Sequence, residues 1–224
     1  ATLTFALPFL ALHPEIQAWV AEEIDQLMAH NATTLGDQSS DADYNTIYPH
    51  LLRTRALMYE TLRLASPAPL FVKTPLTPVE IDITTPTGRR TITIKPGTLV
   101  GMNQYGAHLS PRWGSDASAF NPKRFISVDE KGEEKFQMPD GPAYTAWMIG
   151  PRMCPARKFS QVEFAGIMAE LLQDWRVEVV RKDGEGEEDA RERVKALLRD
   201  EKYFNVSAHL KRPEAAGIRF VRRT

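Results

Sequence analysis

The sequence predicts a mainly α fold carrying small antiparallel β-sheets. Two patterns support this: apolar residues recur every three to four positions in three long stretches, and between Val79 and Val100 short β-type runs alternate with tight turns. A third observation sets the scale. The 224 residues are 42% hydrophobic and 25% charged, which fits one globular domain or a large piece of one. Twenty-eight Lys and Arg against 29 Asp and Glu leave a net charge of -1, so no global basic field recruits nucleic acid. The one cysteine, Cys154, excludes an internal disulfide framework and a multi-cysteine metal cluster, and fits a reducing compartment.

The elements follow in order. The apolar opening from Leu3 to Leu12 is interrupted by Thr4 and Pro8 and has no basic flank. A membrane span needs roughly 20 apolar residues, so this stretch reads as the end of a helix whose earlier turns lie upstream. Pro8 is expected to kink it. From Pro14, a favoured first helical residue, Ile16, Trp19, Val20, Ile24, Leu27 and Met28 form the stripe of an amphipathic helix. A polar, turn-rich loop leads to a second helix over about Ile47 to Leu64, ended by Ser66, Pro67 and Pro69. The runs VEIDI, RTITI and TLVGM, punctuated by Thr85-Pro86-Thr87-Gly88 and Lys95-Pro96-Gly97, predict one small antiparallel sheet. Residues 106–146 are irregular but carry the anchors Trp113, Phe120, Phe125 and Phe136, which predict an ordered stretch. After Pro155 comes a helix with Phe164, Ile167, Met168, Leu171, Leu172 and Trp175 on one face, then the strand WRVEVV, a charge-laced helix, and the β-type runs YFNVSAHL and GIRFV.

Chemistry concentrates at Trp147-Met148-Ile149-Gly150-Pro151-Arg152-Met153-Cys154-Pro155-Ala156-Arg157. A cysteine directly before a Pro-initiated helix lies near unpaired N–H groups and a positive dipole end, which favour thiolate, and Arg152 adds charge. Such a thiolate serves as a nucleophile, a redox sensor or a metal ligand; the alternative is an inert core thiol. No motif pairs any of the five histidines with Cys154 as a catalytic base. One thiolate cannot build a tetrahedral zinc site, but it can supply the single protein ligand of a haem iron whose porphyrin brings the other four. Gly150 then allows close backbone approach to a flat macrocycle, and Arg152 can pair with a propionate.

At these residues the chain resembles the cytochrome P-450 superfamily, whose haem-binding loop reads F/W-x-x-G-x-R-x-C-x-G: Trp147, Gly150, Arg152 and Cys154 match in register. Glu60-Thr61-Leu62-Arg63 resembles the family's E-x-x-R helix, and Phe120-Asn121-Pro122-Lys123-Arg124-Phe125 its F-x-P-x-R-F segment. The tail and CPARKFSQVEF are similar to a filamentous-fungal branch, so the likeness covers essentially the whole chain. Ala156 departs from the pattern, standing where the family has Gly.

The resemblance implies the C-terminal part of the cytochrome P-450 fold, on the proximal haem side. Residues 1–30 would be the end of the central helix and the one following, 47–65 the E-x-x-R helix, and 79–105 the β-sheet. Residues 106–154 would form the meander and cysteine loop, 155–175 the proximal helix, and 176–224 the C-terminal β region. It implies heme b with Cys154 as axial ligand, Arg152 as a propionate contact, Gly150 and Trp147 in the haem loop, and Glu60, Arg63 and Arg124 as a buried charge network; His108 is a candidate for a propionate contact at the haem edge, or, as the better reading, an ordinary hydrogen-bonded histidine. Arg157 and Lys158 are candidates for a basic proximal surface, or for an ordinary solvated helix start. The implied activity is insertion of one atom of dioxygen into an apolar small molecule, with electrons from an NADPH-dependent reductase or other donor. Its acid-alcohol pair would lie upstream of Ala1, leaving no catalytic residue within this chain. Alternatives are a catalytically silent haem-binding remnant and a haem-thiolate hydroperoxide isomerase. By resemblance a full-length form sits at the endoplasmic reticulum membrane; this stretch carries no anchor and is expected to be soluble alone.

Overall fold

A computed structural model describes residues 1–35, 44–138, 144–204 and 208–223. Its helices are α1 (Thr2–Leu12), α2 (Pro14–Leu35), α3 (Tyr44–Ile47), α4 (Leu52–Leu64), α5 (Gln104–His108), α6 (Arg157–Asp174) and α7 (Glu187–Asp200). The strands are β1 (Leu70–Lys73), β2 (Val79–Thr85), β3 (Gly88–Ile94), β4 (Val100–Asn103), β5 (Ile126–Val128), β6 (Glu134–Phe136), β7 (Trp175–Val179), β8 (Lys202–Phe204), β9 (Ala208–Leu210) and β10 (Ile218–Arg222). Among the described residues the strands pair two by two, all antiparallel: β1 with β4, β2 with β3, β5 with β6, β7 with β10 and β8 with β9. The chain is thus helix-rich with small antiparallel sheets.

The core forms around α1, α4 and α6. α1 is apolar on nearly every side and correspondingly buried, with Phe5, Ala6 and Leu10 wholly enclosed. The helix continues through Pro8, whose ring removes one backbone donor without ending it. α2 buries Ile16, Val20 and Ile24 and packs on α4 and α6. From α2, Glu23 reaches the start of α4. Its carboxylate accepts from the backbone N–H of Arg53 (2.6 Å) and Thr54 (3.0 Å) and from the Thr54 hydroxyl (2.9 Å), replacing the N-cap that Leu51 cannot provide.

Several sequence expectations shift. The second helix starts at Leu52 rather than near Ile47, because Tyr48–His50 forms a separate 3₁₀ turn with Pro49 in its first turn. The third β-type run does not join the hairpin of β2 and β3; as β4 it pairs with β1, with Phe71 opposite Met102. The proximal helix α6 begins at Arg157, two residues after Pro155, with Ala156 as its N-cap, so Cys154 lies outside its first turn. The buried stripe of α6 is Gln161, Phe164, Ala165, Met168, Ala169 and Leu172, whereas Ile167 and Trp175 are exposed. In the irregular stretch Trp113, Phe120 and Phe125 are buried. Residues 139–143 lie outside the described residues, as do 205–207 between β8 and β9.

Candidate functional site: a cysteine loop tied to a buried charge network

Glu60 and Arg63 lie one helical turn apart on α4, the spacing at which two side chains meet. Both are wholly buried, so water contributes nothing to their solvation. Arg63 is satisfied completely. Its Nε donates to Glu60 Oε2 (2.7 Å), one Nη2 hydrogen to Glu60 Oε1 (2.8 Å) and the other to the Ala119 carbonyl (3.2 Å). Nη1 donates to the carbonyls of His108 (2.7 Å) and Ala117 (2.5 Å). These five bonds use every N–H of the guanidinium. Glu60 Oε1 also accepts from the backbone N–H of Asn121 (2.8 Å) and from Arg124 Nε (3.1 Å). Arg124 in turn holds Asp116 at 2.9 Å and the Trp113 carbonyl at 3.2 Å. Burial works against the charge of Arg124, and the Glu60 and Asp116 carboxylates outweigh it, raising its pKa above the ordinary value. The three charged groups therefore clamp the segment 108–121 onto α4.

The cysteine loop begins beside this clamp. Tyr144 stacks on Tyr59 of α4 (ring centroids 5.0 Å) and its hydroxyl donates to the Tyr59 carbonyl (3.1 Å). Trp147 is buried, its indole N–H donating to Ser160 Oγ (3.1 Å) on α6. The Thr145 carbonyl accepts from the Met148 N–H (2.8 Å), the Trp147 carbonyl from the Cys154 N–H (2.8 Å), and the Cys154 carbonyl from the Arg157 N–H (3.2 Å). Both backbone groups of Cys154 are thus engaged, which leaves its partly buried side chain as the group presented.

That side chain lines a cavity of about 450 Å³. The walls are mostly apolar, including Met58, Leu62, Phe71, Ala146, Trp147 and Met148, with Arg152 and Cys154 beside them. No hydrogen bond or ion pair engages the Arg152 guanidinium among the described residues. Nor do those residues contain any group of three or more His, Cys, Asp or Glu able to hold a metal ion. A metal at Cys154 must bring its own further donors. A mostly apolar slot with one cysteine sulfur and one guanidinium without a partner among the described residues fits a macrocycle with an iron centre and carboxylate side arms.

Two predicted residues lie elsewhere. Gly150 lines an adjoining cavity of about 220 Å³ with Tyr59, Tyr144, Met153 and Arg157, and a Cβ on it would meet no atom within 4 Å. Its φ of +90° accounts for the glycine; close approach of other protein atoms does not. His108 is fully buried and does not line the cavity of Cys154. Its Nε2 accepts from the Thr145 N–H (3.0 Å) and its ring stacks on Tyr144 (5.1 Å), the arrangement of an internally hydrogen-bonded histidine. Burial holds its pKa down to about 4, so the ring is neutral. Arg157 lies over the Trp147 ring (5.7 Å) and Lys158 over the Tyr48 ring (3.8 Å). The sequence reading missed Thr145, Tyr144 and the left-handed Met148 (φ +66°). Backbone donors and stacked rings carry no motif of their own.

The fold and the cysteine loop together define a cytochrome P-450. A family model described as Cytochrome P450 matches residues 1–207, and the chain belongs to that family. It is 30% identical over 94% of its length to the phomenoic acid biosynthesis cluster cytochrome P-450 monooxygenase of Leptosphaeria maculans, of which the match covers 37%. To a cytochrome P-450 monooxygenase of Arthrobotrys oligospora it is 26% identical over 88% of this chain and 35% of that one. Among solved structures, a cytochrome P-450 (CYP102L1) superposes with a TM-score of 0.66 at 23% identity, covering 99% of this chain and 41% of the other. A zebrafish cytochrome P-450 with abiraterone gives 0.67 at 18% identity, covering 100% and 44%. The chain thus spans about a third of the length of the curated relatives it matches.

Proposed function

We propose that this chain forms the proximal part of a haem-thiolate monooxygenase that inserts one atom of dioxygen into an apolar organic substrate. The observation that carries the reading is the shared cavity: one sulfur donor and one guanidinium without a partner among the described residues, on a mostly apolar wall. Cys154 would hold the iron of heme b through its sulfur and Arg152 would pair with a propionate. Met58, Leu62, Phe71 and Trp147 line the same cavity and would supply apolar contact to the bound group. When bound, the haem supplies dioxygen binding and one-electron chemistry, to which a thiolate ligand adds electron density that favours O–O cleavage.

Glu60, Arg63 and Arg124 do no chemistry in this reading; they clamp the segment 108–121, whose His108 ring meets the loop at Thr145. Electrons come from a reductase or other donor, and Arg157 and Lys158, at the start of α6, are the cationic candidates for its docking. Among the described residues no helix is long and apolar enough to cross a membrane.

The test is Cys154→Ser, in protein supplied with haem, reduced and placed under carbon monoxide. The parent is expected to show the strongly red-shifted Soret band of thiolate-ligated ferrous iron and the variant to lack it. The reading fails if the serine variant keeps that band.

A further inference from the structure

We propose that His108 is a positioning residue whose ring connects the buried charge network of α4 to the loop ending in Cys154, setting the direction of the thiol through hydrogen bonds joined by short stretches of backbone. The path is short and uses named atoms. Arg63 Nη1 donates to the His108 carbonyl (2.7 Å), and His108 Nε2 accepts from the Thr145 N–H (3.0 Å). The Thr145 carbonyl accepts from the Met148 N–H (2.8 Å), and the Trp147 carbonyl accepts from the Cys154 N–H (2.8 Å). Two of the links are long-range, Arg63 to His108 across 45 residues and His108 to Thr145 across 37, whereas the loop's own bonds span three residues (Met148 to Thr145) and seven (Cys154 to Trp147).

Three features single out this ring as more than a filler of the core. A backbone N–H can only donate, so Nε2 presents its lone pair and the proton sits on Nδ1. That Nδ1 is buried with no partner among the described residues. An orphaned buried donor is costly, and a side chain chosen for core packing alone would carry none. The ring is retained, on this view, for the acceptor on its other side. Finally, Met148 is held at φ +66°, a conformation a long side chain adopts only where its surroundings impose it, and it lies between Thr145 and Cys154. The Thr145 bond anchors the near end of that strained turn. Burial keeps the ring neutral well below physiological pH, so the acceptor persists across the neutral range.

The consequence for the thiol rests on the haem-thiolate reading; the link between His108 and the loop does not. Two variants separate acceptor from shape. His108→Phe keeps a flat ring against Tyr144 and removes the acceptor, whereas His108→Gln can place an amide oxygen near the position of Nε2. Amide exchange is measured without haem over 144–148 and 152–154, and the thiolate band under carbon monoxide after haem is added. The phenylalanine variant is expected to exchange about tenfold faster over these residues, the scale of one lost buried hydrogen bond, and to lose thiolate band to a blue-shifted form, with glutamine restoring both. If phenylalanine fails to fold, His108→Asn, whose amide ends at the level of Nδ1, takes its place. Parental exchange in the variant lacking the acceptor overturns the proposal, as does a glutamine variant as impaired as phenylalanine. Faster exchange in phenylalanine when even the parent shows no thiolate band upholds the link and sinks the haem reading instead. A band unaltered while exchange rises overturns the claim that the path directs the thiol.

Discussion

Replacing Arg63 by lysine keeps the buried positive charge and removes the geometry, and its cost follows from the bonds it breaks. The guanidinium meets five acceptors in one plane: both Glu60 oxygens and the carbonyls of His108, Ala117 and Ala119. An ammonium has three donors at one point and cannot reach them all. At least two buried acceptors lose their partner, at about 1–2 kcal/mol each, so Arg63→Lys should cost about 2–4 kcal/mol. Arg124 still touches Glu60, which keeps the carboxylate from being wholly uncompensated and places lysine below the roughly 3–5 kcal/mol of a broken buried pair. Against a total stability of about 5–15 kcal/mol this is a large fraction. Urea unfolding reads it as a lower midpoint at unchanged slope. A loss under about 1 kcal/mol would refute the reasoning, because it would mean that the network is not dry or not satisfied as drawn.

The remaining predictions concern acid and the loop backbone. His108 titrates near 4 in the folded protein against an ordinary 6.5, so between those values the unfolded chain binds more protons and stability rises with pH. The contribution is complete above about pH 6.5 and is lost as pH falls toward 4, amounting to about 3 kcal/mol. Urea midpoints measured from neutral pH downward should fall more steeply in the parent than in His108→Gln; parallel curves would contradict the assignment. Gly150→Ala meets no steric obstacle yet must take φ +90°, so it should lower stability by about 1–2 kcal/mol through backbone strain alone. A thermal midpoint equal to the parent's would show that the loop relaxes instead.

What the sequence made legible depends on the range of the interaction. The stripe of α2 is local, and Ile16, Val20 and Ile24 are indeed its buried face. In α6 apolar residues outnumber the places available on the buried face, so a stripe drawn through Ile167 and Trp175 was drawn too wide. The pairing of β4 with β1 was invisible because the partner, Leu-Phe-Val-Lys, is a four-residue run some 30 residues upstream, right after two prolines. Glu60 and Arg63 could be named through a motif because side chains make that contact with each other. The His108 to Thr145 bond could not, since its donor is a backbone N–H that any residue but proline supplies.

The same distinction explains where the cysteine loop tolerates departure from the family pattern. Ala156 stands in place of the usual glycine, yet its φ of -86° and ψ of 12° are ordinary for a residue with a Cβ, so alanine adds no backbone strain. The conformations that resist side chains fall earlier, at Met148 and Gly150. Cys154 itself is held through its N–H and carbonyl and by packing of its side chain against the core. The loop's geometry is therefore determined upstream of Cys154, by the turn from Thr145 to Gly150 and by what anchors that turn to α4. Substitutions at 148 and 150 should move the sulfur, whereas a small residue at 156 should change only the width of the slot beside it.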